Sequence, residues 1–305
     1  MGISVLLSTY NGEKYLNQQL DSLLSQTYKN FEIIARDDGS QDKTLEILHS
    51  YNITIIDSKK NLGAKGSFGA LLEYAAQNTE SEYFMFCDQD DVWERDKIEK
   101  TLAKMHEIEI SCHEMPILVH TDLNVVDENL KVLDNSMWNY EHINPKLNTL
   151  NRLLIQNTIT GCTVMINKKL AQISLQIPDE AVMHDWWIGL VASKFGKIDF
   201  IDEPTIQYRQ HGGNSIGAKG ILKKGFSIFL NRSLYIKHLY INIKQAKVFL
   251  NIYRNRLDNV TIEMLENFIS IENKSFWQKR KILLKHKLLK QGLIRNIGLL
   301  AKISI

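Results

Sequence analysis

The sequence predicts an α/β fold with a largely parallel sheet, followed by a helical and basic C-terminal region. Three observations support this. Before residue 90, short apolar segments alternate four times with amphipathic stretches of helical spacing, as in βαβ units. Each apolar segment ends in polar or glycine residues. The composition then changes near residues 217–220, from an acidic body to a basic tail.

The N-terminal strands are expected to end at one common edge of the sheet. The predicted strands cover residues 3–7, 31–35, 53–56 and 83–87, and helices with one leucine-rich face separate them. In open α/β sheets, ligands bind outside the carboxyl ends of the strands. The polar segments after the strands are therefore expected to line one crevice. The glycine-spaced turn GAKGSFG within it lacks the patterns of an ATP P-loop and of a nicotinamide site.

A cluster of carboxylates follows the most apolar of these strands. Residues 83–93 read YFMFCDQDDVW, and the strand part has no polar face, which indicates a central strand covered on both sides. Asp88, Asp90 and Asp91 then follow within four positions. Their charges repel one another unless a cation lies among them. Carboxylate oxygens are hard ligands that suit Mn²⁺ or Mg²⁺, and such an ion would also bind the phosphate groups of a substrate.

A structural role is the alternative for one of these acids. Asp91 and Glu94 have the spacing of a capping box that opens a helix whose apolar face includes Ile98, Leu102 and Met105. This interpretation leaves Asp88 and Asp90 without a capping role, so the pair stays the candidate metal site.

The second half of the body is less regular. A strand is expected at 117–120, a helix at 147–155 and a strand at 160–166. The motif HDWW at 184–187 opens an apolar helix to residue 195, and strands at 198–201 and 205–208 close the body.

Size and cysteine content favour a large, reduced, intracellular protein. The chain has 305 residues, of which 44% are hydrophobic, enough for one domain with an appendage. Its three cysteines are widely spaced and form no metal-binding or CxxC pattern. The first residues do not resemble a signal peptide, and no apolar run is long enough to span a membrane. The histidines His120, His184 and His238 are expected to be structural or surface residues.

The tail differs physically from the body. Residues 221–305 contain 17 Lys and Arg against 4 Asp and Glu, a balance of +13; because the whole chain carries +2, residues 1–220 carry −11. We therefore predict a domain at 1–218 and a basic amphipathic helical region at 219–305. Such helices bind anionic membrane surfaces or acidic partners, and a helical appendage packed on the body is the alternative. A nucleic-acid partner is not favoured, because the body is acidic and no binding motif accompanies the lysines. The apolar residues at helical spacing are Phe226, Phe229 and Leu230, and further on Leu234 and Ile241.

Seven motifs occur in the order found in one enzyme family. With them the sequence resembles the family 2 inverting glycosyltransferases of the GT-A fold, in particular bacterial rhamnosyltransferase-like enzymes of surface polysaccharide assembly. The likeness covers residues 3 to about 216. The motifs are VLLSTYNGEKYL at 5–16, ARDDGSQDKT at 35–44, NLGAKGSF at 61–68, FCDQDDVW at 86–93, TGCTVMIN at 160–167, HDWW at 184–187 and YRQHGGN at 208–214.

The resemblance implies roles for residues on the donor side. Asp37 is similar to an acid that hydrogen-bonds the pyrimidine base, and Asp88 to one near the ribose and the metal. Asp90 matches the acid that holds Mn²⁺ or Mg²⁺ on the diphosphate, and His211 resembles a late histidine that contacts the metal or diphosphate. The other donor-side residues that the resemblance implies are Thr9, Tyr10, Glu13, Lys65 and Gln89.

The resemblance also implies an acceptor side. Asp185 matches the general base, with helix N-capping as its structural alternative. Gly161 and Cys162 would form the floor of the acceptor pocket. Trp186 and Trp187 would stack on a sugar ring, and core packing is the alternative for either.

Together these features predict a metal-dependent inverting glycosyltransferase, peripheral on the cytoplasmic face of a membrane. It would move a sugar from a nucleoside diphosphate, rhamnose from dTDP-rhamnose first, to a lipid-linked oligosaccharide. A UDP-hexose or UDP-N-acetylhexosamine is the alternative donor. A sugar-1-phosphate nucleotidyltransferase is disfavoured, because STYNGEKYL after the first strand lacks a glycine- and arginine-rich phosphate loop. A catalytically silent carbohydrate-binding subunit is the remaining alternative.

Overall fold

The computed structural model describes residues 2–56, 58, 60–212 and 232–303. In this part of the chain, nine strands form a single sheet in the order β3-β2-β1-β4-β8-β6-β9-β5, with β7 paired to β6. The strands are β1 Gly2–Thr9, β2 Phe31–Asp37, β3 Thr54–Ile56, β4 Ser81–Cys87, β5 Val92–Trp93, β6 Ile117–Val126, β7 Val132–Asp134, β8 Met165–Asn167 and β9 Lys197–Arg209.

Helices cover the sheet and form the C-terminal region. Those of the body are α1 Leu16–Leu24, α2 Thr44–Ser50, α3 Gly63–Asn78, α4 Lys97–Ser111, α5 Met137–Tyr140, α6 Leu150–Leu153, α7 Lys168–Ser174 and α8 His184–Phe195. Those after the body are α9 Arg232–Tyr253, α10 Asn259–Ile269, α11 Phe276–Lys285 and α12 Leu293–Lys302.

Strand β4 lies in the middle of the sheet, as its apolar sequence predicts. Because side chains alternate along a strand, Phe84 and Phe86 enter one hydrophobic core, and Tyr83, Met85 and Cys87 enter the other. All five are buried. The sheet is thus covered on both faces, and the acids after Cys87 emerge at its carboxyl edge.

The first half of the sheet is parallel throughout, and in the second half β6 and β9 also pair in parallel while β8 runs antiparallel to its neighbours. Strands β3, β2, β1 and β4 run parallel, as the βαβ pattern predicts. Strand β8 then pairs antiparallel with both β4 and β6, which makes the sheet mixed. The strand predicted at 160–166 is divided into a 3₁₀ turn at Gly161–Thr163 and β8, and the two predicted strands at 198–201 and 205–208 are one strand, β9. The helix predicted at 147–155 is limited to α6.

The predicted capping box at Asp91 is wrong. Residues Val92 and Trp93 form β5 and pair with β9, so helix α4 begins only at Lys97, with Asp96 as its N-cap residue. The side chain of Asp91 is fully buried and accepts a hydrogen bond from the backbone N–H of Arg209 at 3.0 Å. Asp91 therefore belongs to the acid cluster rather than to a helix end.

The C-terminal helices share a hydrophobic core with the body. Phe249 and Tyr253 of α9 pack against Trp187 of α8, with ring centroids 5.8 and 6.1 Å apart. The hydroxyl of Tyr253 donates to the carbonyl of Ile173 at 2.7 Å. The predicted boundary at 218 and the residues Phe226, Phe229 and Leu230 lie outside the described residues. Among the helices that are described, none is both long and apolar enough to cross a bilayer.

Candidate active site

The loops after β1 and β2 are joined by hydrogen bonds that place the predicted donor residues together. Asp37 is central, because its carboxylate accepts bonds from the Thr9 hydroxyl at 3.0 Å and the Ser40 hydroxyl at 2.5 Å. It also accepts from the backbone N–H groups of Gly39 and Ser40 at 3.1 and 2.8 Å. These four bonds fill the acceptor capacity of a carboxylate. In this structure Asp37 therefore shapes the loop, and contact with a base would require exchange of one of these bonds.

Gln89 connects the first loop to the acid cluster. Its side-chain oxygen accepts from the Tyr10 N–H at 2.8 Å, and its amide donates to the Tyr10 carbonyl at 3.0 Å. Gly12 lies so close that a Cβ there would be 2.3 Å from the Gln89 oxygen. Glu13 reaches the second loop, accepting from the Lys43 N–H at 3.0 Å. Hydrogen bonds thus join Tyr10, Glu13 and Gln89 to these loops, and Thr9, which is buried, donates to Asp37.

The second acid of the DDGS motif has a structural role. Asp38 is buried in an ion pair with Arg36. It also accepts the backbone N–H groups of Leu62 and Gly63 at 2.7 Å each, at the start of α3. Lys65, in the first turns of the same helix, donates from its ammonium to the carbonyls of Asp179 and Ala181. Lys65 is therefore bound to the loop before α8.

The acids after β4 form a concentrated negative site. Burial, together with the charges of Asp90 and Asp185, raises the pKa of Asp88 to about 7. Burial and the charges of Asp90 and Asp88 raise the pKa of Asp91 well above its usual value. One oxygen of Asp91 is buried without a hydrogen-bond partner. Ligand atoms of Asp88, Asp91 and Cys162 lie within 4.8 Å of one another.

Strand β9 and the residues after it contribute the other side of this site. His211 Nε2 lies 2.7 Å from Oδ2 of Asp90, so the structure brings the two predicted metal-binding residues together. Arg209 donates from Nε to the Asp90 carbonyl at 2.8 Å and from its guanidinium to Gln18 Oε1 at 2.6 Å. Its guanidinium also lies over the ring of Tyr15. Arg209 thus fixes the backbone from which Asp90 projects.

Asp185 lies at the same edge of the sheet, in the first turn of α8. The N-cap of α8 is Met183, so Asp185 does not serve as the helix cap. Its Oδ1 accepts the Trp186 N–H at 2.6 Å, and Gly161 and Asn157 lie near enough to lower its pKa. Burial outweighs these effects and raises the pKa of Asp185 to about 6. A carboxylate with this pKa is poised to accept a proton near neutral pH.

The two neighbouring tryptophans have different environments. Trp187 is 1% exposed, and its indole is enclosed by Phe249 and Tyr253, so it offers no face to a sugar. We therefore assign Trp187 to the core, contrary to the sequence-based expectation. Trp186 is half-buried and donates from its indole nitrogen to the Leu153 carbonyl at 2.6 Å.

Gly161 lies next to Asp185, and Cys162 lies next to Asp88 and Asp91. A Cβ at Gly161 would be 2.9 Å from His184 Nε2 and 3.5 Å from the Asp185 Cβ, so only glycine fits there. His184 is enclosed by Phe68 and Phe86, with ring centroids 4.2 and 5.0 Å away, and burial lowers its pKa to about 3. His184 is thus a neutral core residue, as its isolated position in the sequence suggests.

The sequence analysis gave no role in the site to Arg209 and Lys97, and it left Asp91 between the acid cluster and a helix cap. All three residues are buried beside the cluster. The ammonium of Lys97 lies over the Trp93 ring, and burial lowers its pKa to about 8. The ammonium of Lys97 lies close to Asp91, Cys87 and Cys162, and burial raises the pKa of both thiols well above the usual value, so the thiols are neutral. Lysines are common on helix surfaces, so only the fold could identify this one as buried.

Comparisons with known proteins agree with the family resemblance. The model of the family described as "Glycosyl transferase family 2" matches residues 4–173. An uncharacterized glycosyltransferase of Rickettsia typhi is 29% identical over 211 residues, which cover 68% of this chain but only 64% of the relative. This chain therefore spans less than two thirds of that protein. The dTDP-rhamnosyl transferase RfbG of Shigella flexneri is 25% identical over 293 residues, covering 90% of this chain and 94% of RfbG.

A similar fold occurs in a solved structure. The S. aureus TarS fragment 1–349, solved in complex with UDP-GlcNAc, superimposes with a TM-score of 0.58 and 17% identity; the match covers 94% of this chain and 80% of TarS 1–349. This likeness confirms the predicted GT-A fold with its helical C-terminal region. The family match covers more than half of the chain. The protein is thus a member of glycosyl transferase family 2, as its motifs predict.

Proposed function

We propose that this chain is a metal-dependent, inverting glycosyltransferase that uses a nucleoside diphosphate sugar. The observation that carries the proposal is the position of Asp185. Its carboxyl group is buried at the carboxyl edge of the sheet, near enough to Asp88 to raise the pKa of that acid. As the base, Asp185 would lie beside the acid cluster, which is the arrangement that sugar transfer from a diphosphate requires.

The acid cluster has suitable chemistry for a divalent cation. Three carboxylates lie together, two with raised pKa values, and Asp91 has one buried oxygen without a partner. A cation would relieve the repulsion among them, and oxygen ligands suit Mn²⁺ or Mg²⁺. Asp88, Asp90 and His211 are the residues that would hold it, and the unpartnered oxygen of Asp91 beside Asp88 would be a further ligand. When bound, the cation would offset the negative charge that develops on the departing diphosphate.

Asp185 acts on the acceptor. Its carboxylate accepts the proton of the acceptor hydroxyl while that oxygen bonds to the anomeric carbon. The bond between this carbon and the diphosphate oxygen breaks, and its electron pair leaves with the diphosphate. Attack on the face opposite the leaving group inverts the configuration. General base catalysis of this kind contributes typically ~10²–10⁴-fold to the rate, and alignment of the two substrates contributes further.

The identity of the substrates is a finer part of the proposal. The likeness to RfbG over nearly the whole chain favours dTDP-rhamnose as donor, and a UDP-hexose or UDP-N-acetylhexosamine is the alternative. Thr9, Tyr10, Glu13 and Gln89 would border the nucleotide, with Asp37 and Lys65 reaching it after exchange of their present bonds. Gly161, Cys162 and Trp186 would border the acceptor. A lipid-linked saccharide at the cytoplasmic face of a membrane is the acceptor that the basic C-terminal region supports.

Thermal unfolding with nucleotides tests the donor site without an acceptor. The purified chain is unfolded with dTDP, dTDP-rhamnose, UDP and UDP-GlcNAc, each with and without Mn²⁺ or Mg²⁺. A ligand at about 100 times its dissociation constant adds ~2.7 kcal/mol to the free energy of unfolding. We expect a metal-dependent shift with one nucleotide class and its loss in Asp90→Asn. If no nucleotide shifts the transition in the presence of metal, the chain is a silent binding subunit and the proposal fails.

A further inference from the structure

Helix α12 presents an unusually apolar face to solvent. Leu293, Ile294 and Ile297 are 77%, 73% and 56% exposed, and their spacing places them on one side of the helix. The opposite side packs on the core through Leu299, which is fully buried. Scattered exposed aliphatic residues are ordinary on a protein surface, whereas three on adjoining turns of one helix indicate a binding surface.

Helix α11 shows the same arrangement with aromatic residues. Trp277 is 76% exposed, and Phe276 and Leu284 are also exposed, while Leu283 is buried. The Arg280 guanidinium lies over the Phe276 ring. Exposed tryptophan beside basic side chains is typical of protein surfaces at the boundary of a bilayer.

The charge of this segment defines what it can bind. Residues 276–303 contain eight Lys and Arg and no Asp or Glu. Of these cations, Lys279 is buried and Lys285 is paired with Glu263, which leaves the others to set the surface charge. A surface cleft of about 240 Å³ beside α11 is lined by Lys274, Lys281 and Lys285 together with Asn267 and Gln278. Such a surface complements phosphate-bearing lipid head groups. A second copy of the same surface would bring like charges together, which opposes self-association.

This segment is connected to the acceptor side of the candidate active site. Gln291, just before α12, exchanges hydrogen bonds with the backbone of Asn144 and donates its N–H to Gln156 Oε1 at 3.0 Å. The next residue, Asn157, lies near enough to Asp185 to lower the pKa of that carboxyl group. The exposed face of α12 thus begins two residues from a contact with the loop that lies beside the proposed base.

We propose that the exposed faces of α11 and α12, here named the C-terminal apolar face, bind a bilayer that contains anionic lipid. Leu293, Ile294, Ile297 and Trp277 enter the boundary between head groups and acyl chains, and the surrounding lysines contact phosphate. Through the hydrogen bond of Gln291 to Gln156, this membrane-bound segment is joined to the loop beside the proposed base, which would act on a lipid-linked acceptor. The purpose of this contact rests on the proposed function, whereas the contact itself is measured independently of it.

Flotation with vesicles tests the contact in the full-length chain. Vesicles of phosphatidylcholine are compared with vesicles that also contain phosphatidylglycerol. The double variant Leu293→Ser, Ile297→Ser removes much of the aliphatic surface of α12, and Ile110→Ser in α4, 74% exposed in the wild type, is the matched control. We expect wild type and control to bind the anionic vesicles, and the double variant to bind at least ~10-fold more weakly. High salt should weaken all binding.

Quenching by brominated lipid reports on α11. Of the five tryptophans, Trp277 is the one most open to solvent, since Trp93, Trp138 and Trp187 are buried and Trp186 is half-buried. We expect brominated lipid to quench the wild-type fluorescence and to have little effect on Trp277→Phe. Equal quenching in the two proteins would show that α11 does not enter the bilayer.

The outcomes separate this inference from the proposed function. If the double variant still shows its nucleotide-dependent thermal shift but has lost vesicle binding, the inference is supported and the donor site is intact. If wild type binds vesicles but no nucleotide, the membrane contact is confirmed and the proposed enzyme activity is contradicted. Equal vesicle binding by the double variant and by Ile110→Ser overturns the inference. It is also overturned if wild type self-associates through this face in sedimentation and does not bind vesicles.

Discussion

Replacing Asp88 with asparagine should stabilise the metal-free protein at neutral pH. Burial and the charges of Asp90 and Asp185 raise the pKa of Asp88 from 3.8 to about 7. Between these values the folded chain keeps a proton that the unfolded chain has released. The free energy of unfolding of the wild type therefore decreases as the pH rises from the lower of these pKa values to the higher. Above about pH 7 Asp88 is ionised in both states, and the decrease is complete. The Asp88→Asn variant has no charge at this position and would not share this loss.

The size of the effect follows from the shift. A rise of about 3 pKa units corresponds to ~4 kcal/mol at most, at ~1.4 kcal/mol per unit. Asp88 keeps some contact with solvent, which screens its repulsion, so an effect on the order of 2 kcal/mol is expected. For a chain of this size, that corresponds to an increase of roughly 4 °C in the unfolding temperature.

The assay is thermal unfolding from about pH 4 to about pH 8 in the presence of a chelator, followed by titration with Mn²⁺. The exposed strand residue Asp202 supplies the control, Asp202→Asn, which should match wild type throughout. With Mn²⁺ and a bound nucleoside diphosphate, wild type should gain stability and Asp88→Asn should gain much less. A variant that is less stable than wild type at neutral pH without metal would refute the electrostatic account of this site.

Three further substitutions test the rest of the site. Asp185→Asn should lower kcat by ~10²–10⁴-fold with unchanged donor binding, and the wild-type rate should fall as the pH drops below about 6, where the base becomes protonated. Gly161→Ala should lower kcat, because its Cβ meets His184 and displaces Asp185, whereas Gly69→Ala, which has only ordinary contacts, should leave the rate unchanged. Trp187→Ala should lower the free energy of unfolding by ~3–5 kcal/mol in denaturant titrations, as expected for a core residue rather than a sugar contact.

The parallel half of the fold was predictable because its signals are local. Strand β4 has no polar face, and helices of regular period separate the strands before it, so pattern alone places them. The second half was not predictable in the same way. The antiparallel insertion of β8 between β4 and β6 depends on contacts between residues distant in the sequence. The capping box at Asp91 failed for a related reason, since pairing of β5 with β9 overrides a local helix signal.

For the site, spacing identified the residue types but not their bonds. The two acids of DDGS look equivalent in the sequence, yet Asp37 organises its own loop while Asp38 holds the start of α3. Arg209 lies inside a recognised motif, but its contact with the Asp90 carbonyl exists only after β9 reaches the cluster. Trp186 and Trp187 are adjacent, and only the position of α9 decides which one is buried.

The position of α9 also determines how the membrane contact must be studied. The first turn of α8 carries Asp185, and two residues later Trp187 packs under Phe249 and Tyr253 of α9. Deleting residues 221–305 would expose these core surfaces, at a cost of ~2–3 kcal/mol for each large side chain uncovered. It would also remove Gln291, which contacts the loop beside Asp185. A truncated chain that no longer bound vesicles would therefore have lost its core as well, so substitutions on the exposed side of α12 are the sound test, because they leave the buried side untouched.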